Sequence, residues 1–248
     1  MDWWHSYFDA GYLRRYIFDP EQTVSEVLML RDLLPEPPAD LLDLACGQGR
    51  HSIALAQAGY DVIGLDASEM LLAEARQAAS QAGAEPEFVL GDMRSISYVE
   101  CFDAAINMFT AFGYFADPAE NQAALDGVAR ALKPGGRLVM ELAHRDRVVN
   151  GFRETDWYEL DDDTVVWVRR HFDAVSGVLT SVDRWRAPDG DEEERFHRIR
   201  LYSATELGAM LRAAGLAPTA WYGSTALHAF TADSPRMIVV AERSAGDK

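Results

Sequence analysis

The chain has 248 residues and a formal charge of −17, from 23 Lys and Arg against 40 Asp and Glu, with 48% hydrophobic and 10% aromatic residues. A chain of this size buries roughly 70–75% of its unfolded surface without a disulfide or metal staple, so one large or two small soluble domains are expected. The acidic balance argues against nucleic acid as a partner, because an acidic surface repels phosphate and forgoes counterion release.

Of the 23 basic residues, only Lys133 and Lys248 are lysines. Cys46 and Cys101 are the only cysteines, and two lone thiols in a chain this long point to a reducing compartment. The opening stretch lacks a basic region followed by an apolar one, so no secretory leader is read there. The most apolar run, Ala104 to Ala116, is interrupted by Asn107, Thr110 and Gly113 and falls short of the ~20 residues of a membrane span. The cytoplasm is the expected location, with no membrane partner.

Taken in chain order, Trp4, Phe8, Tyr12 and Tyr16 recur every fourth residue, which predicts four rings along one side of a helix. Such a face serves equally as a lid over a ligand or as a stripe docked on a core. A second helix is predicted over Thr23 to Leu34, stopped by Pro35, Pro37 and Pro38. From Leu41 the pattern becomes regular: strand LLDLA, helix Arg50 to Ala58, strand YDVIGLD, helix Glu69 to Ala82, strand EFVLGD, strand FDAAINMF, helix Pro118 to Leu132, turn KPGG and strand RLVMELA. Short apolar strands alternating with helices predict a doubly wound α/β domain on a mostly parallel sheet. Between His144 and Tyr202 four strand-like runs, GFRETDWYEL, TVVWVRRHFD, VLTSVDRWR and RFHRIRLY, predict an inserted antiparallel β meander. A helix from Thr205 to Ala214 and strands near Pro218 to Ser224 and over RMIVVAER then predict a closing antiparallel pair. The expected organisation is a helical lid region over 1–37, an α/β domain over 38–144 and 203–248, and a β cap over 145–202.

The first βα turn, DLACGQGRH from Asp43 to His51, places glycines after a buried strand. There a ligand can approach the backbone, and N–H groups at the next helix start can receive an anionic group. Asp66, about 20 positions on at the end of IGLD, occupies the place of a carboxylate that accepts from ribose hydroxyls. Turn-forming glycines and a helix-capping Asp66 would produce the same letters, so the pair suggests a nucleoside ligand without requiring one. A dinucleotide fingerprint would put glycine where Ser52 stands. Asp43 inside the strand would repel a pyrophosphate and suits a ligand with an ammonium end.

These segments resemble the class I S-adenosylmethionine-dependent methyltransferases, with a Rossmann-like sheet. DLACGQG resembles their first motif, Asp66 their ribose-binding acid, GDMR at Gly91 to Arg94 their adenine segment, FDAAINMF their fourth strand and LKPGGRLVME the turn into their fifth. The resemblance is continuous over about residues 38 to 143. It implies S-adenosyl-L-methionine as cofactor and S-adenosyl-L-homocysteine as product. It further implies that Asp43, Ala45, Gly47 and Gly49 border the methionyl tail and that Asp66 holds the ribose, with Ala67 beside it; Met70 reads equally as a packing residue or an adenine neighbour. Asp92 would accept from the adenine amino group, Met93 would donate its backbone N–H to the ring, and Asn107 would offer its carbonyl to the sulfonium side. Arg50 would pair with the cofactor carboxylate or a nearby acid, and Tyr16 would reach the cofactor from the lid. Ala45 stands where many members carry glycine. MFTAFGY, Met108 to Tyr114, and the β insert further resemble small-molecule enzymes that dimethylate amino sugars.

The expected reaction is methyl transfer to a small-molecule amine or hydroxyl. His144, Glu141 and Tyr114, all near carboxyl ends of strands where α/β ligands bind, are the candidate bases or orienting groups. Trp167, Arg169, His171, Arg184 and Trp185 interleave in the insert, which is expected to roof the acceptor pocket. The alternative is a non-catalytic nucleoside-binding or regulatory protein on the same fold. No oligomeric state is legible.

Overall fold

The structure, a computed structural model, describes residues 3–15, 19–160 and 162–245. The N-terminal rings do not form one helix. Helix α1 (Trp4–Tyr7) stops at Phe8 and α2 (Ala10–Arg15) begins afresh, because the Asp9 carboxylate accepts from the N–H groups of Gly11 (2.8 Å) and Tyr12 (3.1 Å) and so starts a new turn. Tyr16 lies outside the described residues. Helix α3 (Pro20–Leu33) starts three residues before its predicted bound, with Asp19 accepting from Glu21 N–H at 2.9 Å and Pro20 at the first helical position.

Strands β1 (Asp40–Leu44), β2 (Asp61–Asp66), β3 (Glu87–Leu90), β4 (Phe102–Asn107) and β5 (Leu132–Ala143) alternate with α4 (Arg50–Gln57), α5 (Glu69–Ala82) and α6 (Pro118–Ala131). The predicted KPGG turn falls within β5, whose pairing with β4 is irregular near Phe102. After α8 (Ala204–Ala213), strands β10 (Leu216–Tyr222) and β11 (Arg236–Arg243) close the sheet. Its order is β10-β11-β5-β4-β1-β2-β3, parallel from β3 to β5 and antiparallel at β11 and β10. The chain reverses its direction of travel across the sheet between β1 and β4, and such a switch point opens a ligand crevice at the carboxyl ends of the strands.

Side chains from the two sheet faces feed separate cores. One joins Leu42, Ala105 and Met140 to α6 and α8; the other joins Leu41, Ile106 and Val139 to Leu30 and Leu33 of α3. Helix α3 is therefore a packed layer of the sheet domain.

The insert begins with a helix that the sequence pattern did not predict, α7 (Arg145–Asn150), and then forms the antiparallel sheet β6 (Thr155–Glu159), β7 (Val165–Asp173), β8 (Val178–Arg186) and β9 (Glu192–Arg200). The acids Glu192 to Glu194 lie in β9. Register places Trp167, Arg184 and Glu194 in one row, with Trp167 43% exposed, while neighbouring Trp185 points to the other face and is buried. The expected aromatic–basic roof is thus divided between two faces. That second face carries Arg195 and His197 against the N-terminal segment: Arg195 pairs with Asp9 at 2.6 Å, and the His197 ring lies 5.3 Å from that of Tyr7. Sheet and sheet domain also join where Arg200 N–H donates to Gly113 O at 2.8 Å. Gly113 has φ 105°, and a Cβ there would meet Arg200 O at 2.4 Å, so the position excludes every other residue.

Candidate active site

The turn after β1 runs Ala45, Cys46, Gly47, Gln48, Gly49, with Ala45, Gly47 and Gly49 all in the left-handed region. A Cβ on Gly47 would meet nothing nearer than Leu71 Cδ1 at 4.0 Å, so its backbone faces an open cleft. The Asp66 carboxylate holds this turn, accepting from Gly47 N–H through one oxygen and from Ser68 N–H through the other, both at 2.8 Å. Ser68 then caps α5 by accepting from Leu71 N–H.

The cleft encloses about 920 Å³, including its mouth. Three carboxylates line it. Asp43 is buried and accepts from the Ser52 hydroxyl at 2.6 Å; burial pushes its carboxyl up, against the opposing pull of His51 and Arg50. Burial likewise raises Asp66, outweighing the backbone N–H groups it accepts from. Asp92, at the start of a short 3₁₀ turn (Met93–Ser95), accepts from Arg94 through both backbone and guanidinium, and Arg94 also reaches Glu120 at 2.6 Å.

Beneath the first motif, Glu26 of α3 accepts from His51 Nε2 at 2.8 Å and pairs with Arg50. Burial alone would raise Glu26, but the hydrogen bonds of His51 and Arg50 outweigh it and hold the carboxyl at about 2. The cleft is also walled by the rings of Trp4, Phe8, Tyr12, Phe109, Tyr114 and Phe115, with Arg94 beside Asp92 packing over those of Trp4 and Phe115. The N-terminal segment is laced across it, with Ser68 Oγ donating to Phe8 O at 2.9 Å and Trp3 Nε1 to Tyr114 O at 3.3 Å.

Of the residues singled out in the sequence, Asp43, Ala45, Gly47, Arg50, Asp66, Ala67, Asp92, Met93 and Tyr114 line this one cleft. The insert residues Trp167, Arg169, His171, Arg184 and Trp185, expected to roof the pocket, do not, nor do five other described candidates. Gly49 starts α4 against Phe88, and Leu71 takes the wall position in place of Met70. Asn107 is buried and donates to Leu44 O (2.9 Å) and Ala111 O (3.3 Å), tying the ends of β4 and β1 together. Glu141 is buried under the cleft wall, accepting from Phe109 N–H at 2.7 Å. His144 is also buried; its Nδ1 lies 2.9 Å from Ser234 O and its ring 4.7 Å from that of Phe230. Glu26, Gln48 and Phe109 were not foreseen. The alternation of apolar residues marks elements but not the partner of a polar residue on a distant helix, so nothing local pointed to Glu26.

A methyltransferase domain model matches residues 41–136. The cypemycin N-terminal methyltransferase of a Streptomyces species is 31% identical over 206 residues, covering 82% of each chain. The chain belongs to the S-adenosylmethionine-dependent methyltransferases. The dTDP-3-amino-3,4,6-trideoxy-alpha-D-glucopyranose N,N-dimethyltransferase of Streptomyces venezuelae is also 31% identical, over 76% of this methyltransferase and 79% of that protein. Among solved structures, the CcbJ methyltransferase of Streptomyces caelestis superposes with a TM-score of 0.85 at 19% identity over 97% of this chain and 98% of that one. A SAM-bound amino pentose methyltransferase from Micromonospora echinaspora gives a TM-score of 0.72 at 26% identity, over 95% of each chain.

The methyltransferase's cofactor is S-adenosylmethionine, and the donor set fits it. A buried carboxylate held by a hydroxyl suits an ammonium group, and acids at two strand ends suit hydroxyl and amino donors. Among the described residues Gln48 Oε1 on the cleft wall is buried without a hydrogen-bond partner, as expected of an acceptor reserved for a ligand.

Proposed function

We propose that this enzyme methylates the amine of a small molecule, by in-line displacement at the donor methyl. The single observation that carries the reading is the lining of the cleft: the carboxylates of Asp43, Asp66 and Asp92 share it with the rings of Trp4, Phe8, Tyr12 and Tyr114. The carboxylates suit the cofactor. Asp43 and Gln48 would take the methionyl ammonium and Arg50 its carboxylate; Asp66 and Ala67 would border the ribose; Asp92 and the Met93 N–H would read the adenine. Asn107, by holding the ends of β1 and β4 together, keeps these groups in one frame.

Bound there, the cofactor supplies a methyl group on a positively charged sulfur. The chain supplies alignment and dryness, the main contributions open to a protein in such a transfer. The rings of Trp4, Phe8, Tyr12 and Tyr114 exclude water and give a cationic or neutral amine a flat, electron-rich wall. A neutral amine attacks with its own lone pair, so no protein base must contact the nitrogen. Relatives named for N-terminal methylation and for methylation of amino sugars support an amine over a hydroxyl; the segment before α3 that carries Trp4, Phe8 and Tyr12 serves as lid, with the insert packed against it through Arg195 and His197.

The test is S-adenosylhomocysteine release with purified enzyme across amino sugars, short peptides with free N-termini, simple amines, phenols and alcohols. Turnover with an amine is expected. Turnover confined to phenols or alcohols would overturn the amine reading.

A further inference from the structure

We infer that Glu141 is a positioning residue: acting through the Phe109 backbone, it sets the ring that walls the point of methyl transfer. The inference rests on the methyltransferase reading of the cleft. Asp92 follows β3, Asp66 ends β2 and Asp43 lies in β1, so the three carboxylates step across the sheet toward β4. The next residues in that direction are those just past β4, Met108 and Phe109, and both line the cleft. A ligand laid out from adenine to sulfur along these strand ends brings its reactive group to Phe109.

The backbone there is held away from its preferred conformation. Phe109 and Thr110 have φ of 57° and 59°, consecutive left-handed positions in residues that do not favour them. Such strain persists only when neighbours over-determine it. The neighbours are on β5 and β11. Glu141 Oε2 accepts from Phe109 N–H at 2.7 Å, Glu141 O accepts from Thr110 N–H at 3.0 Å, and Thr110 Oγ1 accepts from Ala143 N–H at 2.9 Å. The other carboxylate oxygen of Glu141 meets Arg236 Nε at 3.0 Å. The Arg236 and Arg50 guanidinium groups lie 5.8 and 5.7 Å from the centre of the Phe109 ring. One buried carboxylate thus fixes both the turn and an arginine that packs on the ring. Arg50 links that ring to the first motif through Glu26.

The experiment needs no acceptor. It compares, by calorimetry, the affinity of S-adenosylhomocysteine, which carries nothing at the methyl position, with that of sinefungin, in which an amine-bearing carbon replaces the methylated sulfur. Wild type, Glu141→Gln, Phe109→Ala and the double variant form a cycle, with Arg236→Gln as a milder perturbation should Glu141→Gln fold poorly. Each single variant is expected to bind S-adenosylhomocysteine within about threefold of wild type while losing about tenfold in sinefungin affinity, with no added loss in the double variant. Parallel loss of both ligands, or losses that add in the double variant, would overturn the assignment. Failure of wild type to bind S-adenosylhomocysteine would instead remove the reading of the cleft beneath it.

Discussion

The Asp66 carboxylate receives the N–H of Gly47, nineteen residues earlier in the chain, at 2.8 Å. Two glycine-rich-turn signals that are separate in sequence are thereby one object: the acid at the end of β2 shapes the loop after β1. Asp66→Ala is expected to act twice, removing a ligand acceptor and leaving the Gly47 and Ser68 N–H groups without their partner. S-adenosylhomocysteine affinity should fall at least about 100-fold and stability by about 1–3 kcal/mol. Calorimetry and urea unfolding check the two effects separately; unchanged affinity would exclude Asp66 from the ligand site.

Asp43 is expected to link cofactor affinity to pH. Its folded-state value is raised by burial, so the unfolded chain gives up this proton first, and ionising Asp43 in the empty protein counts against folding as pH rises. A ligand ammonium reverses the balance by favouring the carboxylate, and binding then expels a proton. Affinity for S-adenosylhomocysteine should therefore weaken as pH falls through the raised value, and Asp43→Asn should bind more weakly with a flatter pH dependence. Calorimetry in buffers of different ionisation heat measures the released proton; equal pH profiles for wild type and variant would refute the coupling.

Much of this frame was legible from local chemistry. Helix α5 has its predicted bounds, Glu69–Ala82, because Ser68 caps one end and left-handed Gly83 ends the other; β11 likewise runs from Arg236 to Arg243. The failures have physical causes as specific. The four-residue spacing of Trp4, Phe8 and Tyr12 favoured one helix, but the Asp9 side chain competes for the backbone and restarts it. Trp167 and Trp185 read together as one roof, but the pairing of β7 with β8 puts them on opposite faces, and their letters do not record that register. Glu141 and His144 stand at the functional end of the sheet, yet β11 and the loop before it cover them, and no pattern along β5 records that cover.

Glu26 should make the protein acid-sensitive through the site's underside. Held at about 2 by His51 and Arg50 against its ordinary 4.5, it contributes stability that is complete above the ordinary value and lost as pH falls toward 2. The shift corresponds to something on the order of 3 kcal/mol. Urea unfolding near neutral pH and in the acid range should show Glu26→Gln less stable near neutrality and less sensitive to acid. Glu26→Ala, which leaves two buried donors facing a void, should cost about 3–5 kcal/mol near neutral pH. Identical acid dependence in wild type and Glu26→Gln would show that this carboxylate does not carry the effect.

His144 and Tyr114 both stand near strand ends, but only Tyr114 lines the cleft. The buried His144 ring joins β5 to the loop before β11 through Ser234 O and Phe230, so its removal should be a stability event. His144→Ala is expected to cost about 1–3 kcal/mol in unfolding free energy, with kcat/KM for the best amine within threefold of wild type when assayed well below the melting temperature. Tyr114→Phe keeps the ring and its packing, so stability should change by about 0.5 kcal/mol or less, while any contact of the hydroxyl with the acceptor appears as a rise in acceptor KM. A large fall in kcat for His144→Ala at unchanged stability would restore the histidine as a base and place the acceptor deeper than the aromatic wall.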